Sequence, residues 1–396
     1  MTEFRKLCPG ENGSYILHCA IKLDSIIMVR WLLARGADID HKIDGNTALH
    51  EAILCNYREI VDILLDHGAD PNVEDSLSRT PLYLAVYNED VEVVSILLDR
   101  DANIEISDNT GKTPLHRAAI AGSEKIAQLL LNAGANPSAV ENDGGTPLHI
   151  AVDYKNARMV SILLDNGANV DAKKKNGETP LHEAAISGSE KIARLLLTAK
   201  ADFSAVDVDG ETPLHFAISV RDSVVASILL EYGSDVNVKT GSFDRTPLHL
   251  AAHMSRWDIA QVLLEYGASL SAVDYYHETP LHTAVRCAPL DFLRQLLNYI
   301  KQKCDLNVLN AQPGRDGFTA LRMAIDRGSA DHVEMLLRNG ARFTLCSASG
   351  ESDLDAALES SNERIKKSGQ DFTEWMAMEG RPSLPGLPGH TPSSWS

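Results

Sequence analysis

Threonine recurs along this chain at positions 47, 80, 113, 146, 179, 212, 246, 279 and 319, in steps of 33, 33, 33, 33, 33, 34, 33 and 40 residues. Seven of these threonines are followed by Pro-Leu and two by Ala-Leu, and the third residue after the threonine is histidine in seven cases. A looser copy, YILHCAI, begins at Tyr15, and a truncated one, SDLDAAL, begins at Ser352. A period of this length, kept over most of 396 residues, marks an array of small stacked units. It displaces the two or three independent globular domains that length alone would suggest.

The unit beginning at Thr113 shows what each copy folds into. Thr113 is placed as an N-cap, its hydroxyl accepting from an orphan backbone N–H, and Pro114 stands at N1, where it has no hydrogen bond to lose. Leu115, Ala118 and Ala119 share a face at helical spacing, and Gly122 ends that helix by tolerating a left-handed backbone. Ser123 then caps a second helix, with Ile126, Leu129 and Leu130 as its apolar stripe and Gly134 closing it. Between units lie the turn sequences Asp44-Gly45, Asn176-Gly177, Asp209-Gly210 and Asn142 to Gly145, which predict tight hairpin fingers. A single such unit cannot bury enough apolar surface to hold itself together, so each layer depends on its neighbours.

The pattern Asp-Gly-x-Thr-Pro-Leu-His-x-Ala followed by Leu-Leu-x-x-Gly-Ala-Asp strongly resembles the ankyrin repeat. The resemblance implies an all-α solenoid of antiparallel helix pairs carrying short β-hairpin fingers. The expected organisation is an N-terminal arm over 1–13, a solenoid over 14–365 with units starting near 15, 47, 80, 113, 146, 179, 212, 246, 279 and 319 and a partial one at 352, and a disordered Pro/Gly/Ser-rich tail over 366–396. The resemblance further implies that partners touch the finger tips and the end of the first helix, which fall four, three and one residues before each threonine and seven and eight after it.

Several chemistries are weighed against the repeat register and set aside. Gly111-Lys112-Thr113 has the ending of a phosphate-binding loop, but Ile106 stands where that loop requires glycine, and no long parallel strand precedes it. His18, His50, His116, His149, His182, His215, His249 and His282 occupy one slot, N3 of the first helix, from which a side chain reaches back to the N-cap as in a capping box. They are read as structural, with neither a metal site nor a catalytic residue assigned. Seven units lack glycine at the end of the first helix, where Asp24, Asn56, Glu89, Lys155, Arg221, Ser255 and Ala288 stand instead. Each is expected to strain its turn by taking a left-handed conformation.

Charge and cysteine usage narrow the partners. A net charge of −18 disfavours direct binding to nucleic acid or to an anionic membrane, both of which call for clustered Lys and Arg. No run of about 18 apolar residues is present to span a bilayer, and no signal-peptide pattern opens the chain, so an intracellular location, cytoplasmic or nuclear, is expected. The six cysteines, at 8, 19, 55, 287, 304 and 346, contain no Cys-x-x-Cys pair and read as reduced thiols. Lys173, Lys174 and Lys175 read as a solvated finger run. No cofactor is implied.

Residues that depart from the repeat point to function. On the stripe defined above stand Tyr87, Tyr154, Phe243, His253, Met254, Tyr275, Tyr276 and Phe318, densest toward the C-terminal third. Large aromatic and methionine side chains placed where the helices do not need them suit binding anchors. The same rings could instead pack on adjacent fingers or on Trp257. The 40-residue step after Thr279 lengthens a second helix and a finger beside this cluster. Pro382, Pro385 and Pro388 in the tail have polyproline spacing and could engage a proline-reading domain. The expected function is a non-enzymatic scaffold or adaptor holding partner proteins, with a coregulator of transcription acting through protein contacts, or a substrate adaptor for ubiquitin ligation, as alternatives.

Overall fold

The computed structural model describes residues 11–220, 223–313, 317–344 and 352–378. By packing, the chain divides into two units, Met1–Asp202 and Phe203–Ser396. The first contains α1 (Glu11–Lys22), α2 (Ile26–Leu33), α3 (Ala48–Leu54), α4 (Arg58–Asp66), α5 (Pro81–Tyr87), α6 (Val91–Leu98), α7 (Pro114–Ala121), α8 (Glu124–Asn132), α9 (Pro147–Asp153), α10 (Ala157–Asp165), α11 (Pro180–Ser187) and α12 (Glu190–Thr198). The second contains α13 (Pro213–Ser219), α14 (Ser223–Glu231), α15 (Pro247–His253), α16 (Trp257–Glu265), α17 (Pro280–Cys287), α18 (Leu290–Gln302), α19 (Leu306–Leu309), α20 (Ala320–Asp326), α21 (Ala330–Arg338), α22 (Asp353–Glu359) and α23 (Glu363–Met378). Within each unit, first helices pack on first helices of neighbouring repeats, and each folds back on its own second helix.

The alanine five residues after each threonine shows why the layers fit. Ala52, Ala85, Ala118, Ala151, Ala184, Ala217, Ala251, Ala284 and Ala324 are all fully buried, where only a methyl group separates one helix from the next. The leucine two residues after the threonine is buried in every copy as well, from Leu49 to Leu321. Loops add a polar ladder: Asp40 accepts from the backbone N–H of Asp70, Asn72 from Asn103, Asn237 from Ser269 and Asn310 from Arg342, at 2.7–3.1 Å.

The fingers differ from expectation. Among the described residues no strand forms, and one isolated bridge joins Ile43 to Asn46. Each finger is a tight turn closed by a bond such as Asp108 N–H to Lys112 O or Asp274 N–H to Glu278 O, both 3.0 Å, with the arms too short for a ladder. In four fingers the aspartate that opens the turn takes up the flanking donors. Asp75, Asp108, Asp207 and Asp274 each accept from the backbone N–H groups two and four residues on, donors that a second strand would otherwise use. Successive fingers are joined by backbone bonds, Asn109 N–H to Leu77 O, Asn142 N–H to Thr110 O and Lys175 N–H to Asp143 O in the first unit, Gly241 N–H to Asp209 O and Tyr275 N–H to Phe243 O in the second. The approach at Gly241 is so close that a Cβ there would lie 2.6 Å from Asp209 O, which admits no side chain.

Other expectations shift at the ends of elements. The first helix begins at Glu11, so Tyr15 sits inside it and does not cap it, and the arm shortens to residues outside the described range. Asp24, Asn56, Glu89, Lys155 and Ser255 are left-handed as expected, with φ of 51–62°. Ala288 is not: it is extended (φ −86°, ψ 154°) because Pro289 follows and disfavours helical backbone before it. Arg221 lies outside the described residues. At the C-terminal end α23 runs to Met378, past the expected boundary at 365. Ile365, Gly369 and Phe372 fall at helical spacing, Ile365 is fully buried, and Phe372 packs on Phe343 (4.9 Å between centroids) and Trp375 (5.7 Å). Pro382, Pro385 and Pro388 lie outside the described residues.

Candidate functional site

The recurring histidines are joints between layers. In His50, His116, His149, His182, His215, His249 and His282 the Nδ1 atom accepts from the N-cap threonine's backbone N–H at 3.0–3.4 Å, with the threonine hydroxyl 2.7–3.0 Å away. Nδ1 as acceptor leaves the ring proton on Nε2. From there it donates to the carbonyl just before the next threonine: His50 to Arg79, His116 to Gly145, His149 to Glu178, His249 to Glu278 and His282 to Phe318, at 2.9–3.4 Å. His18 keeps only the outward bond, to His41 O at 3.3 Å. Sequence reading found the capping half of this device and missed the bond to the next layer. Where histidine is absent, Tyr83 reaches Asp108 through its hydroxyl (2.8 Å), and Arg322 donates to Ser352 O.

Burial favours the neutral form of five of these imidazoles. Loss of hydration pushes His50, His116 and His249 below the usual imidazole value, and His149 and His282 down to about 4. These five rings are buried and bonded at both nitrogens. Among the described residues no group of three or more His, Cys, Asp or Glu side chains could hold a metal ion. Cys19, Cys55, Cys287 and Cys304 are free thiols. Lys112 is tied to Glu141 on the neighbouring finger.

The proposed anchors fall into separate groups. In the second unit, Phe243 and Tyr276 stack across adjacent fingers (centroids 6.3 Å apart, planes 21° from parallel), and Tyr275 meets Tyr276 edge-on at 5.5 Å. All three rings remain open to solvent, with exposures of 45% for Phe243, 66% for Tyr275 and 53% for Tyr276. Met254, also exposed, follows the last residue of α15, His253. Burial, and after it the positive charges of Arg245 and Arg286, hold the His253 imidazole below its ordinary value. Arg245 lies 5.1 Å over the Phe243 ring, and Arg286 pairs with Glu278 at 2.8 Å.

The rings of Phe243, Tyr275 and Tyr276 pack on adjacent fingers and still present their outer faces to solvent. Trp257 plays no part in the patch, since it packs edge-on against Phe292 in α18 at 5.7 Å. Phe318 is half-buried with Arg322 stacked on it at 4.9 Å. In the first unit, Tyr87 is covered on one face by Arg117 (4.4 Å), and Tyr154 is exposed on the wall of a cavity. The arginines carry no signal in sequence until folding lays them over the rings of Tyr87, Phe243 and Phe318. Arg286 stands seven residues after Thr279 and was legible by register.

The chain matches the family model described as ankyrin repeats (3 copies) over residues 2–75, 70–141, 133–207, 199–274, 225–310 and 272–347. It is 39% identical over 84 residues to an ankyrin repeat protein of fowlpox virus, a stretch covering 21% of this chain and 19% of that one. It is 44% identical over 69 residues to the transient receptor potential channel pyrexia of Drosophila melanogaster, 17% of this chain and 7% of the channel. The matched stretches thus span less than a fifth of those relatives' own lengths. Among solved structures, the ankyrin repeat domain of Bcl-3, titled a unique member of the IkappaB protein family, superposes with a TM-score of 0.51 at 30% identity, covering 54% of this chain and 97% of that domain. Among the described residues no helix is long and apolar enough to cross a membrane.

Proposed function

Because the chain belongs to the ankyrin-repeat family, whose fold generally binds other proteins and is typically non-enzymatic, we propose that it is a scaffold holding a partner protein on the finger face of its second unit. The anchors are Phe243, Tyr275 and Tyr276, with Met254 beside them. The observation that carries this reading is that three aromatic rings on adjacent fingers touch one another and yet stay 45–66% exposed. Holding one another, they lose little side-chain freedom when a partner arrives, and an apolar-faced segment that covers them removes a contiguous aromatic surface from water. Phe318, half-buried under Arg322, is assigned to finger packing.

Affinity purification from cells with wild type beside the F243A/Y275A/Y276A variant tests this. A central aromatic anchor is worth about 2 kcal/mol or more when truncated, or roughly thirtyfold in affinity. At least one partner is therefore expected to be lost from the variant while its thermal melt stays unchanged. Recovery of every partner by both proteins contradicts the assignment of this patch.

A further inference from the structure

In five successive repeats of the first unit the first helix ends on an apolar side chain that folding leaves uncovered: Leu54 (41% exposed), Tyr87 (50%), half-buried Ile120, Tyr154 (58%) and Ile186 (43%). Each stands seven residues after its threonine, or eight in the case of Tyr154. Helices α3, α5, α7, α9 and α11 pack one on the next, so these side chains form a row with one member per layer. Ile120 and Tyr154 share the wall of a half-open cavity of about 220 Å³. In the second unit the slot seven residues on holds Ser219, His253, Arg286 and Asp326, and no such row forms. Sequence reading found the two tyrosines of the row and passed over its aliphatic members.

The row carries little charge. Asp153 is the one charged residue in the seventh and eighth slots from Leu54 to Ser187. The charges lining the cavity balance, Lys112 and Lys174 against Glu141 and Asp153. Lys112 pairs with Glu141, while Lys174, read from sequence as part of a solvated run, turns inward to pair with Glu183 and acts electrostatically on Asp153. Nothing here selects a charged ligand.

The period of the row selects a backbone shape. Packed helix axes lie about 8–10 Å apart. A polyproline II segment turns once in three residues, or about 9.3 Å, so every third side chain meets the next layer. A β-strand presents one face about every 6.7 Å and is out of step with the layers. Tyrosine rings along an uncharged groove are the kind of surface on which proline-rich segments dock. Arg117 stacks on Tyr87 at 4.4 Å, so that ring is held before a partner arrives.

We propose that this row seats an uncharged, proline-rich segment of a partner protein in the polyproline II conformation, with an apolar side chain at every third residue. Each such side chain lies against one layer, between Leu54 and Ile186. The row belongs to the first unit and does not depend on the aromatic finger patch.

Fluorescence anisotropy of a labelled (Leu-Pro-Ser)4 peptide, titrated with the full chain, tests this. Its length of about 37 Å in polyproline II matches the row. Binding should saturate, and it should weaken about tenfold or more in Y87A/Y154A. On the wild-type chain (Leu-Ser-Pro-Ser)3, equally long but with leucine at every fourth residue, should bind about tenfold more weakly as well. That comparison needs no variant, and equal thermal melts show that Y87A/Y154A is folded. No binding of (Leu-Pro-Ser)4, equal binding of the two peptides, or undiminished binding to Y87A/Y154A overturns the proposal. Loss of the peptide from F243A/Y275A/Y276A but not from Y87A/Y154A also overturns it and leaves the aromatic patch standing.

Discussion

At the scale of single residues, the threonine–histidine joint is the smallest part that explains the array. Its protonation logic gives a sign. In the unfolded chain imidazole titrates near 6.5, whereas folded His149 and His282 titrate near 4, because burial penalises their charged form. The unfolded state therefore binds more protons between those values, and the stabilisation is fully present above about 6.5 and lost as pH falls toward 4. Glu183, raised to about 7 chiefly by burial, works the other way between its ordinary value and 7, and Glu211 and Glu278 are raised in the same sense, against six lowered histidines of the repeat slot. The melting temperature should fall as pH is lowered from 7 to 5. In His282→Asn that acid-side fall should be smaller, while stability at pH 7 drops by about 1–2 kcal/mol from lost inter-layer bonds. An identical pH profile in wild type and variant would contradict the assignment. The capping half of the joint was legible because Thr and His sit three residues apart on one helix turn. The Nε2 bond was not, because its acceptor lies about one repeat away and becomes a neighbour only after stacking.

At the scale of elements, what could be read from the sequence follows the range of the force involved. Helix starts were legible from Thr-Pro, a purely local signal, and the buried alanines followed from helical spacing. The fingers were misjudged because Asn-Gly and Asp-Gly predict a turn without saying who takes the flanking N–H groups, and here aspartate side chains take them. Helix α23 was missed because the Pro- and Gly-rich composition beyond it outweighed the helical spacing of Ile365, Gly369 and Phe372. Helix ends supply a discriminating pair of substitutions. Ser255 is left-handed (φ 59°) and Ala288 is not (φ −86°), although both occupy the same slot. Ser255→Gly should raise unfolding free energy by about 1 kcal/mol by removing Cβ strain, whereas Ala288→Gly should raise it not at all and lower it through added unfolded-state entropy. Chemical denaturation measures both, and equal gains would show that the slot is left-handed in each.

At the scale of the whole molecule, repetition decides what is available for function. Core positions are spent on neighbouring layers, nearly every buried polar group of the joint is bonded, and the chain's distinct chemistry lies on its fingers and first-helix ends. The stripe was legible by register alone, four, three and one residues before each threonine and seven and eight after it. Its content was only half legible, since Ile120 and Arg286 gain meaning from the rings and charges that folding sets beside them. The claim on which the account rests is that the aromatic finger face of the second unit is where a partner docks. A photo-activatable phenylalanine analogue placed at Tyr275, and in a separate protein at Gln261 on the exposed side of α16, tests this in cells. The account predicts a discrete protein adduct from position 275 and none of that mass from position 261. The same adduct from both positions, or from 261 alone, would contradict it.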